Sequence, residues 1–160
     1  MKKEFKYAGF LQRFWAAYGD MFFLSPIIII YFIAVFLYED QINSTIALIV
    51  TLLSFMLYEV LLLSGSKQAT LGMRKEKIKM VDVKGNRISI ARSMYRYILY
   101  GVTVSFIDKI SSMIGLGSFV GMILEIFIIS LLSGHPKKQA IYDIIAGTYI
   151  ICEEASETKD

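Results

Sequence analysis

Cysteine, histidine and proline are nearly missing: the 160 residues hold one Cys, one His and two Pro. A single thiol excludes an intrachain disulfide, and Cys152 with His135 falls short of the ligand set of the common zinc sites. His135 stands beside Pro136 and reads as a loop residue at a membrane surface. Absent too are a nucleophile elbow, a P-loop, a dinucleotide-binding glycine fingerprint, internal repeats and low-complexity tracts. No enzyme, cofactor or metal site is expected. Nor is a nucleic-acid partner, since no such motif accompanies the modest net charge of +3.

The scarcity that decides the class is charge inside long apolar stretches. Hydrophobic residues make up 56% of the chain, against about 45–50% in an ordinary soluble domain. Residues 21–37 and 42–58 carry no charge, and between Lys109 and His135 the only charged residue is Glu125. A hydrocarbon core of about 30 Å needs roughly 20 apolar residues per helix, so these are three membrane spans. The uncharged stretch 97–107 is short for a span, but the basic residues argue that it crosses. Of 17 Lys and Arg, four precede the first span, nine lie between the second and third, three follow the last, and only Lys109 lies elsewhere. The positive-inside rule puts the three groups in the cytoplasm, and two cytoplasmic ends require an even number of crossings.

The expected fold is an all-α membrane protein with a small cytoplasmic β element. One domain, 1–160, has four transmembrane helices at about 16–38, 43–64, 93–110 and 114–133, a cytoplasmic loop 65–92 and a cytoplasmic C-terminal segment 134–160. Arg96 is expected to snorkel to the inner interface. The first apolar stretch exceeds that of a signal peptide and is expected to stay as an uncleaved anchor. Cys152 then faces the reducing cytoplasm, and the basic loops face anionic lipid head groups. In the loop, Ile78-Lys79-Met80-Val81-Asp82-Val83 alternates as a half-buried strand does, Lys84-Gly85-Asn86 is a turn signal, and Arg87-Ile88-Ser89 is expected to return as a second strand. Ser89 or Ser93 is the expected cap of the following helix. The β-prone run Gly147-Thr148-Tyr149-Ile150-Ile151-Cys152 is expected to join this hairpin, which would be marginal alone.

Three carboxylates fall inside the apolar stretches: Asp20, Glu59 and Glu125. Each is costly in hydrocarbon and asks for a partner, a proton or a watery cavity, which makes the three candidate ion- or proton-binding groups. Glu59 sits near the inner end of its span, where it either reaches the head groups or pairs with Arg74 or Arg96. Glu125 lies near the middle of the fourth span, with no basic residue at that depth. Gly117 and Gly121 form a GxxxG spacing that permits close helix approach. Pro26, after Ser25, is expected to kink the first span and free carbonyls toward a cavity. The tyrosines and phenylalanines read as packing and interfacial belts.

The stretch Arg13-Phe14-Trp15-Ala16-Ala17-Tyr18-Gly19-Asp20 resembles the opening of the RDD family, small multi-pass membrane proteins of bacteria and archaea named for one arginine and two aspartates. Arg13, Ala16 and Asp20 match its spacing. Gln68-Ala69-Thr70-Leu71-Gly72-Met73-Arg74 is similar to the family's threonine-x-glycine-lysine stretch, with Met73 where lysine is usual. Gln139-Ala140-Ile141-Tyr142-Asp143 and Ala146-Gly147-Thr148 resemble its ending, with Tyr142 where histidine is usual and Asp143 as the second named aspartate. The resemblance runs from Phe10 to Cys152 and implies a bacterial or archaeal inner-membrane location.

Seven residues are close to two helical turns, so Arg13 and Asp20 share a stripe, too far apart for a direct pair. Asp143 is the expected third member of an Arg13–Asp20–Asp143 network, serving either as a clamp or as a proton or cation site. Two functions follow. The resemblance implies a monovalent cation/proton antiporter, since some members are so described; four short spans would then need a homo-oligomer. The alternative is a non-transporting scaffold or assembly factor presenting the basic loop to a partner.

Overall fold

In the computed structural model the described residues are 5–37, 44–113 and 137–153. In chain order they form α1 (Phe10–Leu37), α2 (Ser44–Ser64), α3 (Leu71–Lys75), β1 (Ile78–Asp82), α4 (Ile90–Met113), α5 (Ile141–Ala146) and β2 (Thr148–Cys152). The element expected over 114–133, with Glu125 and the GxxxG, lies outside the described residues, as does His135.

Two helices among the described residues, α1 and α2, are long and apolar enough to cross a membrane. At about 1.5 Å per residue, the 28 residues of α1 reach about 42 Å. Phe22, Ile30 and Phe36 stand exposed along it, the arrangement expected where the solvent is hydrocarbon. α4 has 24 residues but does not meet the same criterion; Arg92 and Arg96 near one end and Asp108 and Lys109 near the other leave only the short uncharged stretch between. Among the described residues, three of the four expected crossings thus correspond to two membrane-length apolar helices and a third, more polar long helix.

α1 begins earlier than hydropathy suggested, at Phe10. Its start is polar: the Gln12 side chain accepts from the Gly9 amide at 3.0 Å, meeting one of the amides that a helix start leaves free. Pro26 lies inside α1 and cannot donate to the Phe22 carbonyl, four residues back. The Ser25 hydroxyl donates to that carbonyl instead, at 2.7 Å. The carbonyl expected to face a cavity is thus satisfied within the helix.

The sheet differs from the expected hairpin. β1 pairs with β2, antiparallel, with Met80 opposite Ile150. On the far side of β2, Tyr7 bridges Ile151, the Ala8 amide donates to the Ile150 carbonyl and the Cys152 amide to the Lys6 carbonyl, both at 2.9 Å. β2 is thereby central, which is why all five of its residues are buried. The turn at Lys84-Gly85-Asn86 does form. The Gly85 amide donates to the Asp82 carbonyl at 3.0 Å, and Gly85 takes φ +83°, a region glycine tolerates. Residues 87–89 do not return as a strand, because each has another task. Arg87 Nε donates to the Ser64 carbonyl at the end of α2, Ile88 enters the core at 1% exposure, and Ser89 Oγ accepts from the Arg92 amide, capping α4. Leu63, Met73, Ile78, Met80, Ile88 and Ile150 form the apolar core beneath the sheet.

Candidate functional site: two polar clusters at the helix ends

The first cluster gathers side chains from four helices. Asp143, on the first turn of α5, is fully buried. Its Oδ2 accepts from Arg13 Nη1 of α1 at 3.1 Å, and its Oδ1 from Arg96 Nε of α4 at 2.8 Å. Arg96 Nη1 also donates to Glu59 Oε1 of α2 at 2.6 Å. Two guanidinium cations thus meet two carboxylates, and the set is electrically neutral. Neutrality matters here, because ions held away from water are tolerable when paired and further hydrogen-bonded. Gly147 in a left-handed conformation (φ 64°) ends α5 and turns the chain into β2. Gln139 Nε2 donates to the Thr148 carbonyl at 2.9 Å, tying the two ends of that segment together.

The second cluster is separate. Asp20 lies about 10 Å along α1 from Arg13 and does not join the Arg13–Asp143 pair, which corrects the expected three-residue network. Instead Asp20 Oδ1 accepts from the Tyr58 hydroxyl and the Gly72 amide, each at 2.7 Å. Its Oδ2 accepts from the Thr70 hydroxyl at 2.6 Å. No basic residue makes an ion pair with it among the described residues. The same contacts seat α3, whose N-cap is Thr70. A Cβ on Gly72 would run into the Ala16 carbonyl and crowd the Asp20 amide, and one on Gly19 would come within 3.2 Å of the Gly72 Cα. Glycines at both positions let α3 lie directly on α1.

Arg13, Asp20 and Asp143, expected as one network, fall into two sites. The RDD family pattern matches residues 7–147. The chain belongs to the RDD family. Neither the curated proteins nor the solved structures contain a match to it. Of the RDD signature residues, Arg13 and Asp143 form the ion pair, while Asp20 binds the threonine-x-glycine stretch. Both departures from the usual RDD residues have a structural place. Met73 is buried in the apolar core. The Tyr142 ring lies 5.0 Å from the Arg96 guanidinium carbon, a cation–π arrangement, and packs edge-on against Tyr100.

Burial, with Asp143 beside it, pushes the Tyr142 phenol well above its ordinary value. The unfolded chain loses this proton near pH 10 while the folded one keeps it, so folded stability falls as pH rises above about 10. Tyr142→Phe should flatten that alkaline loss, as read from unfolding midpoints between pH 9 and about 11.

Tyr58, Thr70 and Arg96 are the partners that sequence reasoning left without a definite role. The sequence offers Arg96 to Glu59 or to the inner interface, and the fold adds Asp143. A threonine two residues before a glycine carries an N-cap signal, but nothing local indicates that a carboxylate fifty positions earlier meets it. Both clusters open onto a cavity of about 610 Å³ between α1, α2 and α4. Asp20, Tyr58, Glu59 and Arg96 line one part of it, and Met21, Leu24, Ile28 and Phe55 another. No group of three or more metal-ligating His, Cys, Asp or Glu side chains occurs among the described residues.

Proposed function

We propose that this RDD protein exchanges a monovalent cation for a proton at Asp20, as a multi-pass protein of a bacterial or archaeal inner membrane with both termini cytoplasmic. The observation that carries this reading is the difference between the carboxylates. Asp143 and Glu59 are held by arginines, whereas Asp20 faces the cavity with hydroxyl and amide partners only. A carboxylate without a counter-charge in a membrane helix favours a proton or a cation. The Tyr58 hydroxyl oxygen lies within hydrogen-bond distance of Asp20 Oδ1 and the Thr70 hydroxyl oxygen within that of Asp20 Oδ2. Hydroxyl hydrogens rotate, so the Tyr58 and Thr70 oxygens can turn lone pairs toward a small cation. Arg13, Asp143, Arg96 and Glu59 then act as the frame that fixes the helices around the site. Alternating access across so few helices calls for a homo-oligomer.

The test is proton flux in proteoliposomes under an imposed pH gradient, with Na⁺, K⁺ or Li⁺ added in turn. Wild type should dissipate the gradient with one of these cations, and Asp20→Asn should lower that flux at least tenfold while the protein keeps its oligomeric profile in detergent. Glu125→Gln, in the same assay, separates a role at that second carboxylate. One observation favours a scaffold instead: three donors already engage Asp20 and fix α3, as a purely structural latch would. A flat response of folded wild type to every cation would select the scaffold.

A further inference from the structure

A second, smaller groove lies where α3 meets α1. It has a volume of about 400 Å³ and is lined by Tyr18, Gly19, Phe22 and Phe23 of α1 and Lys75 of α3. No arginine or carboxylate of the two polar clusters lines it, and Tyr18 alone is shared with the larger cavity. Gly72 rests on α1 between Ala16 and Asp20. Lys75, three residues on, falls on the same side of α3 one turn further along, so the close glycine contact brings a lysine against a membrane-length helix. Lys75 is exposed, and its side chain makes no ion pair or hydrogen bond among the described residues. Tyr18, Phe22 and Phe23 are exposed as well, so a ligand can reach every side chain of the groove. We propose that this groove binds one anionic phospholipid of the adjoining leaflet, its phosphate on Lys75 Nζ and an acyl chain over Phe22 and Phe23.

Depth and charge together select this occupant. The uncharged run of α1 starts at Met21, between Tyr18 and Phe22. From there to Leu37 it covers about 26 Å, close to the hydrocarbon thickness of about 30 Å. Phe22 and Phe23 therefore lie just inside the hydrocarbon edge, with Tyr18 and Lys75 at the level of the lipid phosphates. Trp15 packs edge-on against Tyr18, with ring centroids 6.0 Å apart, and extends the interfacial aromatic surface on the polar side. An ammonium at that level binds a phosphate oxygen as a point charge. Asp20 does not neutralise it, because its oxygens are engaged by Tyr58, Thr70 and Gly72. A phosphatidylcholine phosphate carries a cation of its own beside it and a phosphatidylglycerol phosphate does not, so Lys75 favours the anionic lipid. The proposal stands apart from cation exchange, and it fixes one lipid at one place where the basic loops alone would attract anionic lipid diffusely.

Trp15 is the only tryptophan of the chain, which allows a local test. Trp15→Phe with Phe23→Trp moves the fluorophore into the groove; Trp15→Phe with Phe32→Trp moves it to another exposed position further along α1. Each full-length protein is reconstituted in phosphatidylcholine bilayers, and quenching by brominated phosphatidylglycerol is compared with quenching by brominated phosphatidylcholine. At position 23 phosphatidylglycerol should bind about fivefold more strongly, the gain expected of one lysine at an anionic surface, and at position 32 neither lipid should be preferred. Adding Lys75→Gln should abolish the preference at position 23, and Lys75→Arg should keep it. Lys84→Gln, at an exposed lysine of the turn after β1, should leave it intact. Unfolding temperatures of the lysine variants should match, because neither side chain holds a partner. Equal quenching by both lipids at position 23 would overturn the proposal, as would quenching by neither, the sign of a second copy over the groove. A preference that survives Lys75→Gln, or one that Lys84→Gln removes equally, would overturn it too.

Discussion

Arg96→Met is expected to be the most damaging single substitution in the described part of the chain. It removes the cation shared by Asp143 and Glu59, whose oxygens lie 2.8 and 2.6 Å from it. Asp143 is fully buried and would keep only Arg13; Glu59, partly exposed, would keep no arginine. Stranding buried charge in this way costs about 3–5 kcal/mol, a large share of the roughly 5–15 kcal/mol that ordinarily holds a domain folded. Thermal unfolding in detergent should show the loss directly. Arg96→Lys should recover only part of it, because one ammonium cannot reproduce a guanidinium that reaches two carboxylates from different nitrogens. The double change Arg96→Met, Glu59→Gln should be milder than Arg96→Met alone, since Asp143 keeps its pair with Arg13 and the carboxylate that lost its arginine is neutral. Arg92 is the internal comparison: its pair with Asp82 is 3.7 Å long and the Arg92 side chain is exposed, so Arg92→Met should cost under about 1 kcal/mol.

The second large effect is expected at Gly72. A methyl there has no room against the Ala16 carbonyl, and α3 would have to lift off α1. Overpacking alone costs about 1–3 kcal/mol. Lifting α3 also pulls the Gly72 amide and Thr70 hydroxyl away from Asp20, leaving it with Tyr58. Gly72→Ala should therefore lower the unfolding temperature and speed amide hydrogen exchange in residues 71–75 relative to β1. Ala16→Gly, which removes a side chain and leaves the offending carbonyl, should not rescue it.

Much of the architecture was legible because it rests on periodicities a sequence displays openly. Uncharged runs mark α1 and α2, alternation at residues 78–82 marks β1, and the family resemblance marks Asp143 as a partner for Arg13, within a network that the fold then divides from Asp20. What escaped was long-range choice. Residues 87–89 alternate as a strand would, yet the core needed Ile88, α2 needed a cap from Arg87, and α4 needed one from Ser89. Three separate satisfactions outweighed one more ladder. Asp20 was harder, since its partners come from α2 and from Thr70 and Gly72 at the start of α3, and only the fold brings them together. The extent of the polar cluster was half visible: Glu59 and Arg96 were considered as partners, but Asp143 lies 47 positions beyond Arg96.

The placement of β2 orders how the protein must be made. This strand sits between the segment preceding α1 and β1, yet it is the last described element to leave the ribosome. Asp143 emerges only a few residues before it. Until then Arg13 and Arg96 lack their common carboxylate, and the sheet lacks its middle strand. The sheet and the buried ion pairs can therefore close only after every described helix has been made, when the final described residues supply Asp143 and the middle strand.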